Sequence, residues 1–128
     1  MSLAPALNRA RVVWSYFTGR ATAPLYPQEV VVELTNHCNL ACVMCPHKTM
    51  TRPKGFMDPA LFRSIVDQVA GRTELVYLHG TGESLLHKDL PALVAYAAGK
   101  GLTTCLSTNG LPLTADKARQ VLTCGLDH

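Results

Sequence analysis

Apolar positions along the chain alternate between helical spacing and short β-branched runs, and the changes of period divide it into elements. Residues 3 to 18 place Leu3, Leu7, Ala10, Trp14 and Phe17 at helical spacing, with Arg9 and Arg11 elsewhere on the wheel. This predicts an amphipathic helix. Its stripe suits a membrane surface or a partner, but one apolar stripe is what any surface helix needs to pack on its own domain, and that is the expectation here. The stretch "TAPLYPQ", with Pro24 and Pro27, reads as a linker. Two regions follow: residues 1–27 as helix and linker, and 28–128 as the cored part.

From residue 28 the pattern repeats strand then helix. "EVVVEL" (29–34) is the compact β-branched run of a buried parallel strand. Beyond the loop "PHKTMTRPKGFM", a helix is punctuated by Asp58 as N-cap, Pro59 in the first turn and Gly71 at the stop, with Leu61, Phe62, Ile65, Val66 and Val69 on one face. "ELVYLH" (74–79) is a second strand, and "KDLPALVAYAAGKG" a second helix ending at Gly99 or Gly101. "LTTCLSTNG" (102–110) is a third strand, and "TADKARQVLTCG" a third helix of this region, capped by Thr114. Three such units in a row predict an α/β fold with parallel strands joined by right-handed crossovers. The alternation breaks off at "GLDH", where a fourth strand is due. An unpaired edge on the last strand is what a finished fold closes or covers, so a fragment is expected.

Composition narrows the class without naming a partner. With 128 residues and 48% hydrophobic content, the chain suffices for one cored domain and is short for two. Asn8, Arg9 and Arg11 interrupt the N-terminal stretch too early for a signal peptide or membrane span. A net charge of +3, no long basic run and scattered aromatics give no sign of nucleic-acid binding. Five cysteines, an odd number, are a poor disulfide framework and fit a reducing compartment, so a cytoplasmic location is expected.

Three of those cysteines, Cys38, Cys42 and Cys45 in "HCNLACVMC", crowd the loop after the first strand. That is the carboxyl end, where barrels and open α/β folds carry their active sites. Thiolates are soft ligands for zinc, copper or iron-sulfur clusters. A 4Fe-4S cube takes four ligands, so three cysteines leave one iron open to a small molecule. Zinc is the alternative, with His37 or His47 as fourth ligand. No second ligand pair stands at zinc-knuckle spacing, which favours the cluster. Cys105, in the third strand, and Cys124, near the end of the last helix, read as small buried hydrophobes. In the first strand, Glu33 and Thr35 share a face that would line a lumen near the metal site, with a structural hydrogen bond as the alternative, and Lys48, Arg52 and Lys54 read as a solvated loop rather than a cover over the cysteines.

Taken together, "CNLACVMC" after a strand ending "ELTN", "HGTGESLLH" after the second strand and "STNG" after the third resemble the radical S-adenosylmethionine superfamily. The wording is similar to its peptide- and cofactor-modifying branch, some members of which carry a further cluster-binding C-terminal domain. The resemblance covers residues 28–128 and implies the first half of a partial (β/α)6 barrel. It implies that Cys38, Cys42 and Cys45 hold a 4Fe-4S cluster. The open iron is then chelated by S-adenosylmethionine, which is cleaved reductively to a 5′-deoxyadenosyl radical that abstracts hydrogen from a substrate.

The same resemblance assigns a cofactor rim. "GTGE" is similar to the family's Gly-Gly-Glu motif with Thr81 replacing the second glycine, which makes Gly80, Thr81, Gly82 and Glu83 methionine-end contacts. Met44 stands where many relatives carry an aromatic residue near the adenine, and Thr108 and Asn109 offer hydrogen bonds from the third strand end. Read alone, "GTGE" and "STNG" are also ordinary turns. The implied partners are an electron donor of flavodoxin or ferredoxin type and a substrate that is a peptide or a small molecule. With the later strands absent, the isolated chain is expected to be inactive. Two other readings stay open: a small zinc or iron-sulfur binding protein without radical chemistry, and a remnant whose metal site no longer functions.

Overall fold

A computed structural model describes residues 4–20 and 26–128. Leu3 and most of the expected linker, Pro24 included, lie outside the described residues. Helix α1 (Ala4–Phe17) is followed by strand β1 (Glu29–Val31), helix α2 (Pro59–Val69), strand β2 (Leu75–Tyr77), helix α3 (Leu90–Gly99), strand β3 (Thr103–Cys105) and helix α4 (Ala115–Thr123). Short 3-10 turns stand at Pro46–Thr49 and Ser84–Leu86.

The three strands form one parallel sheet in the order β1-β2-β3, with Val31 opposite Tyr77 and Tyr77 opposite Cys105. Each strand is shorter than its β-branched run. The ladder nevertheless continues past β1 and β2, because the Val32 amide donates to the Tyr77 carbonyl at 2.8 Å and the Leu78 amide to the Cys105 carbonyl at 2.8 Å. Beyond β3, the His128 amide donates to the Thr104 carbonyl at 3.1 Å and the Leu106 amide to the His128 carbonyl at 2.8 Å. This two-to-one spacing is that of a parallel neighbour, and it sets "LDH" beside β3.

Period-two alternation sorts the sheet's faces. Val32, Leu34, Val76, Leu78 and Leu102 are buried toward the helices, where they meet Phe62 and Val66 of α2 and Leu93, Val94 and Ala97 of α3. Full burial of a side chain such as Phe62 or Leu78 contributes about 1.5–3 kcal/mol, so this layer carries the fold. On the other face Val31 is 64% exposed, and the sheet is open there. Helix α3 is apolar nearly all round because it lies between α2, α4 and β3. Its Tyr96 hydroxyl donates to Asp67 of α2 at 2.8 Å, and Lys100 pairs with the same carboxylate at 2.6 Å.

The helix ends are where the sequence puts them. Asp58 accepts from the Ala60 and Leu61 amides at 2.7 and 3.3 Å, and Thr114 from the Lys117 amide at 3.3 Å. Gly71, Gly101 and Gly125 all take positive φ just past their helices.

Helix α1 departs from expectation. Trp14 and Phe17 are 67% and 79% exposed, while Asn8 and Ser15 are buried. Among the described residues, Leu7, Trp14 and Phe17 of the apolar stripe face away from the sheet and its helices. What holds the helix is polar: the Asn8 side chain donates to the Tyr26 carbonyl at 2.8 Å and accepts from the Tyr26 amide at 3.2 Å, and Arg9 pairs with Glu74 beside β2.

Candidate metal and cofactor site

The cysteine loop leaves β1 through residues 34–37, and its far end returns to the same place. Thr35 bridges Phe56 in antiparallel sense, and the Met57 amide donates to the Leu34 carbonyl at 2.8 Å. Inside this closed base Asn36 acts as organiser. Its side chain accepts from the Gly55 amide at 2.7 Å and donates to the Pro53 carbonyl at 2.9 Å, while its own carbonyl meets His47 Nε2 at 2.9 Å. The Thr35 hydroxyl donates to the Gly55 carbonyl at 2.7 Å and accepts from the His37 amide at 3.0 Å. Thr35 is therefore buried in the loop base, where it makes structural hydrogen bonds, the alternative to the lumen-lining role that its parity with Glu33 predicts.

On this base stand the three cysteines, all free thiols, with Cys42 exposed and Cys38 and Cys45 half-buried. The Cys45 amide donates to the Cys42 carbonyl at 3.2 Å, just ahead of the 3-10 turn that begins at Pro46. Val43 and Met44, between them, are 97% and 90% exposed. Among the described residues, no three His, Cys, Asp or Glu side chains form a group suited to one metal ion. The two histidines offered for zinc are in other use. His47 is buried against Asn36, and His37 stacks on Phe56 with ring centroids 4.7 Å apart.

The turn after β2 lies directly on residues 35–37. A Cβ on Gly82 would strike the Thr35 and His37 carbonyls, the latter at 2.7 Å, so only glycine permits this approach. The Glu83 amide then donates to the His37 carbonyl at 2.8 Å. Gly80 faces Glu33 in the same way, its absent Cβ falling 2.6 Å from Glu33 Cγ.

Glu83 is 3% exposed and ties β2 to β3. Its carboxylate accepts from the Leu85 amide at 2.9 Å, the Thr108 hydroxyl at 2.7 Å and the Asn109 amide at 2.8 Å. Three of the roughly four acceptor positions of a carboxylate are thus filled from within the chain. Thr108 also accepts from the Gly110 amide at 3.0 Å. The Asn109 side chain turns the other way, toward the cysteines, where it donates to Asn39 Oδ1 at 3.0 Å and reaches Cys38 Sγ at 4.0 Å. All three strand-end segments are thereby hydrogen-bonded around Cys38.

Two residues of this arrangement were not singled out by the sequence in these roles. The loop carrying Lys48, Arg52 and Lys54 is exposed, as expected, but Arg52 pairs from it with Glu33 at 2.5 Å and donates to the Thr81 hydroxyl at 3.1 Å. Glu33 accepts from the Thr81 amide and hydroxyl at 2.8 and 2.5 Å. Burial would raise the Glu33 pKa, but the Thr81 donors and the Arg52 charge together hold it below the usual glutamate value. Asn36 is the second, and its only sequence signal was its place beside "HC". The outlying cysteines stand apart from this cluster of contacts. Cys105 lies within β3, and the Cys124 thiol donates to the Val121 carbonyl at 3.1 Å, with burial raising its pKa.

Known proteins resemble this chain in sequence and in fold. The family model described as the radical SAM superfamily matches residues 32–128. The PqqA peptide cyclase of Xanthomonas campestris pv. campestris (strain B100) is 37% identical over 103 residues, 80% of this chain and 27% of the relative. The Fe-coproporphyrin III synthase of Methanosarcina barkeri is 32% identical over 100 residues, 77% of this chain and 25% of the relative. The crystal structure of BtrN in complex with AdoMet and 2-DOIA superposes with a TM-score of 0.71 at 27% identity, covering 79% of this chain and 43% of BtrN. The chain therefore spans about a quarter of the length of the curated relatives it matches. The parallel α/β sheet fits the expected partial barrel. The family works with a 4Fe-4S cluster and S-adenosylmethionine, and its members here are enzymes. From the family match over 32–128 and the shared fold, this chain belongs to the radical SAM superfamily.

Proposed function

We propose that this chain is the cluster-binding part of a radical SAM enzyme. Cys38, Cys42 and Cys45 hold a 4Fe-4S cluster, and S-adenosylmethionine binds at its open iron. The observation that carries this reading is the convergence of three strand ends on Cys38, through the Glu83 amide on the His37 carbonyl and the Asn109 side chain on Asn39. Three soft thiols on one closed loop suit an iron-sulfur cluster, and the engagement of His37 and His47 speaks against zinc.

When bound, this pair supplies one electron and a sulfonium whose reductive cleavage generates a carbon radical able to abstract hydrogen. The chain's own part is to hold and orient. Gly80, Thr81, Gly82 and Glu83 present a backbone ledge for the methionine end, Met44 an exposed apolar surface for the adenine, and Thr108 and Asn109 the third side of the rim. Arg52 and Glu33 brace the ledge at Thr81. The hydrogen donor is a peptide or a small molecule, and the electron comes from a flavodoxin- or ferredoxin-like protein. Among the described residues no helix is long and apolar enough to cross a membrane.

Anaerobic reconstitution with iron and sulfide tests the assignment. Cys38→Ala, Cys42→Ala and Cys45→Ala should each abolish the visible absorption of the cluster, and Cys105→Ala should retain it. S-adenosylmethionine should shift the electron paramagnetic resonance signal of the reduced cluster. Stoichiometric zinc with no iron uptake after its removal would overturn the reading.

A further inference from the structure

We infer that the Asn109 side chain, besides shaping the rim, tunes the electron affinity of the cluster by donating a hydrogen bond to the Cys38 sulfur; the inference rests on the proposed cluster. Asn109 is held at every polar group the contacts describe. Its backbone amide donates to Glu83 Oε2 at 2.8 Å, and its side-chain oxygen accepts from the Leu111 amide at 3.0 Å. The oxygen being fixed, the orientation of the amide group is fixed too, and the NH2 end must point at the cysteine loop. There it meets Asn39 Oδ1 at 3.0 Å and Cys38 Sγ at 4.0 Å. An NH2 group has two hydrogens, one for each of these acceptors.

The chemistry follows from charge. A metal-bound cysteine is a thiolate, a stronger acceptor than the thiol, so ligation strengthens this contact. A donor aimed at a ligating sulfur withdraws electron density, stabilises the reduced and more negative state and raises the reduction potential. The Cys38 sulfur also accepts from the Leu40 amide at 3.5 Å, within its own loop. Among the described residues, the Asn109 contact is the one that comes from beyond another strand, so the position of the segment after β3, set through Glu83, bears on the ease of electron entry. This makes Asn109 a positioning and tuning residue, acting through Cys38.

The test uses the reconstituted 128-residue chain without S-adenosylmethionine, so that loss of a cofactor contact cannot produce the effect. Cluster reduction is followed by electron paramagnetic resonance in a potentiometric titration of the wild type, Asn109→Leu and Asn109→Asp. Asn109→Leu removes the donor at similar volume. Asn109→Asp keeps the oxygen that accepts from Leu111 and replaces the NH2 group with a negative oxygen, so it preserves the turn if leucine does not. Both should shift the potential to more negative values, aspartate further than leucine, with iron content and visible absorption unchanged. Identical potentials in wild type and Asn109→Asp would overturn the tuning role while leaving the cluster assignment intact. A wild-type chain that assembles no cluster would overturn both.

Discussion

Arg52 and Glu33 form an ion pair at 2.5 Å that joins the far side of the cysteine loop to the end of β1. The other oxygen of the same carboxylate accepts from both donors of Thr81, so Glu33 fixes the loop and the β2 turn together.

Acid should loosen this joint before it unfolds the core. The folded-state pKa of Glu33 lies below its unfolded value, so its contribution is complete above the ordinary glutamate range of about 4.3 and is lost as pH falls through the folded value. Thermal unfolding followed from pH 7 downward should show wild type losing more stability below pH ~4 than Glu33→Gln, which has no charge to lose. Parallel curves would deny Glu33 this role.

Gly82 and Gly55 make a matched pair of tests. A methyl group on Gly82 meets backbone carbonyls that cannot rotate away, whereas on Gly55 it meets nothing within 4 Å. Gly82→Ala should cost about 1–3 kcal/mol in urea unfolding, the range for overpacking, and should impair cluster assembly. Gly55→Ala should stay near wild type. Gly80→Ala should fall between them, because its obstacle is the Glu33 side chain.

Glu83→Ala leaves the Leu85 amide, the Thr108 hydroxyl and the Asn109 amide without their acceptor. One unsatisfied buried group costs about 1–3 kcal/mol, and partial rewetting keeps three from simply adding. A loss of ~3 kcal/mol is expected, with hydrogen exchange at Asn109 and Gly110 rising before that of α3. Protection unchanged at Asn109 would show that the turn after β3 holds without the clasp.

The five thiols should differ in reactivity before any cluster is added. Cys42 is exposed, while Cys124 is partly buried with a raised pKa. Brief treatment with iodoacetamide, read by peptide mass spectrometry, should label Cys42 first and Cys124 slowly. Preferential labelling of Cys124 would contradict the burial described for the end of α4.

Much of the scaffold was legible because local chemistry specifies it. Asp58, Thr114, Gly71 and Gly125 cap or stop helices through groups within four residues of themselves, and a β-branched run such as "EVVVEL" needs no partner to be recognised. Strand length was less legible, since a ladder ends where its neighbour does. The clustered cysteines were plain as a spacing. Their surroundings were not: Arg52 reaching Glu33, and Glu83 reaching Thr108, are contacts between distant segments that follow no periodicity. Thr35 shows why parity alone misleads, because the antiparallel bridge to Phe56 takes the strand end out of the simple in-and-out rule. Helix α1 shows a further limit of pattern. Its stripe specified a helix, and its orientation was decided by the pairing of Asn8 with Tyr26.

That orientation has a spectroscopic consequence. Trp14 is the chain's one tryptophan, 67% exposed on α1, and the residues around the cysteine loop contain none. Intrinsic fluorescence excited at the indole therefore reports the surroundings of α1 and is nearly blind to the sheet. Its emission should already be that of a solvated indole in the folded chain. Melting of the core should pass with little spectral change, while anything that comes to rest on the exposed face of α1 should announce itself as a blue shift.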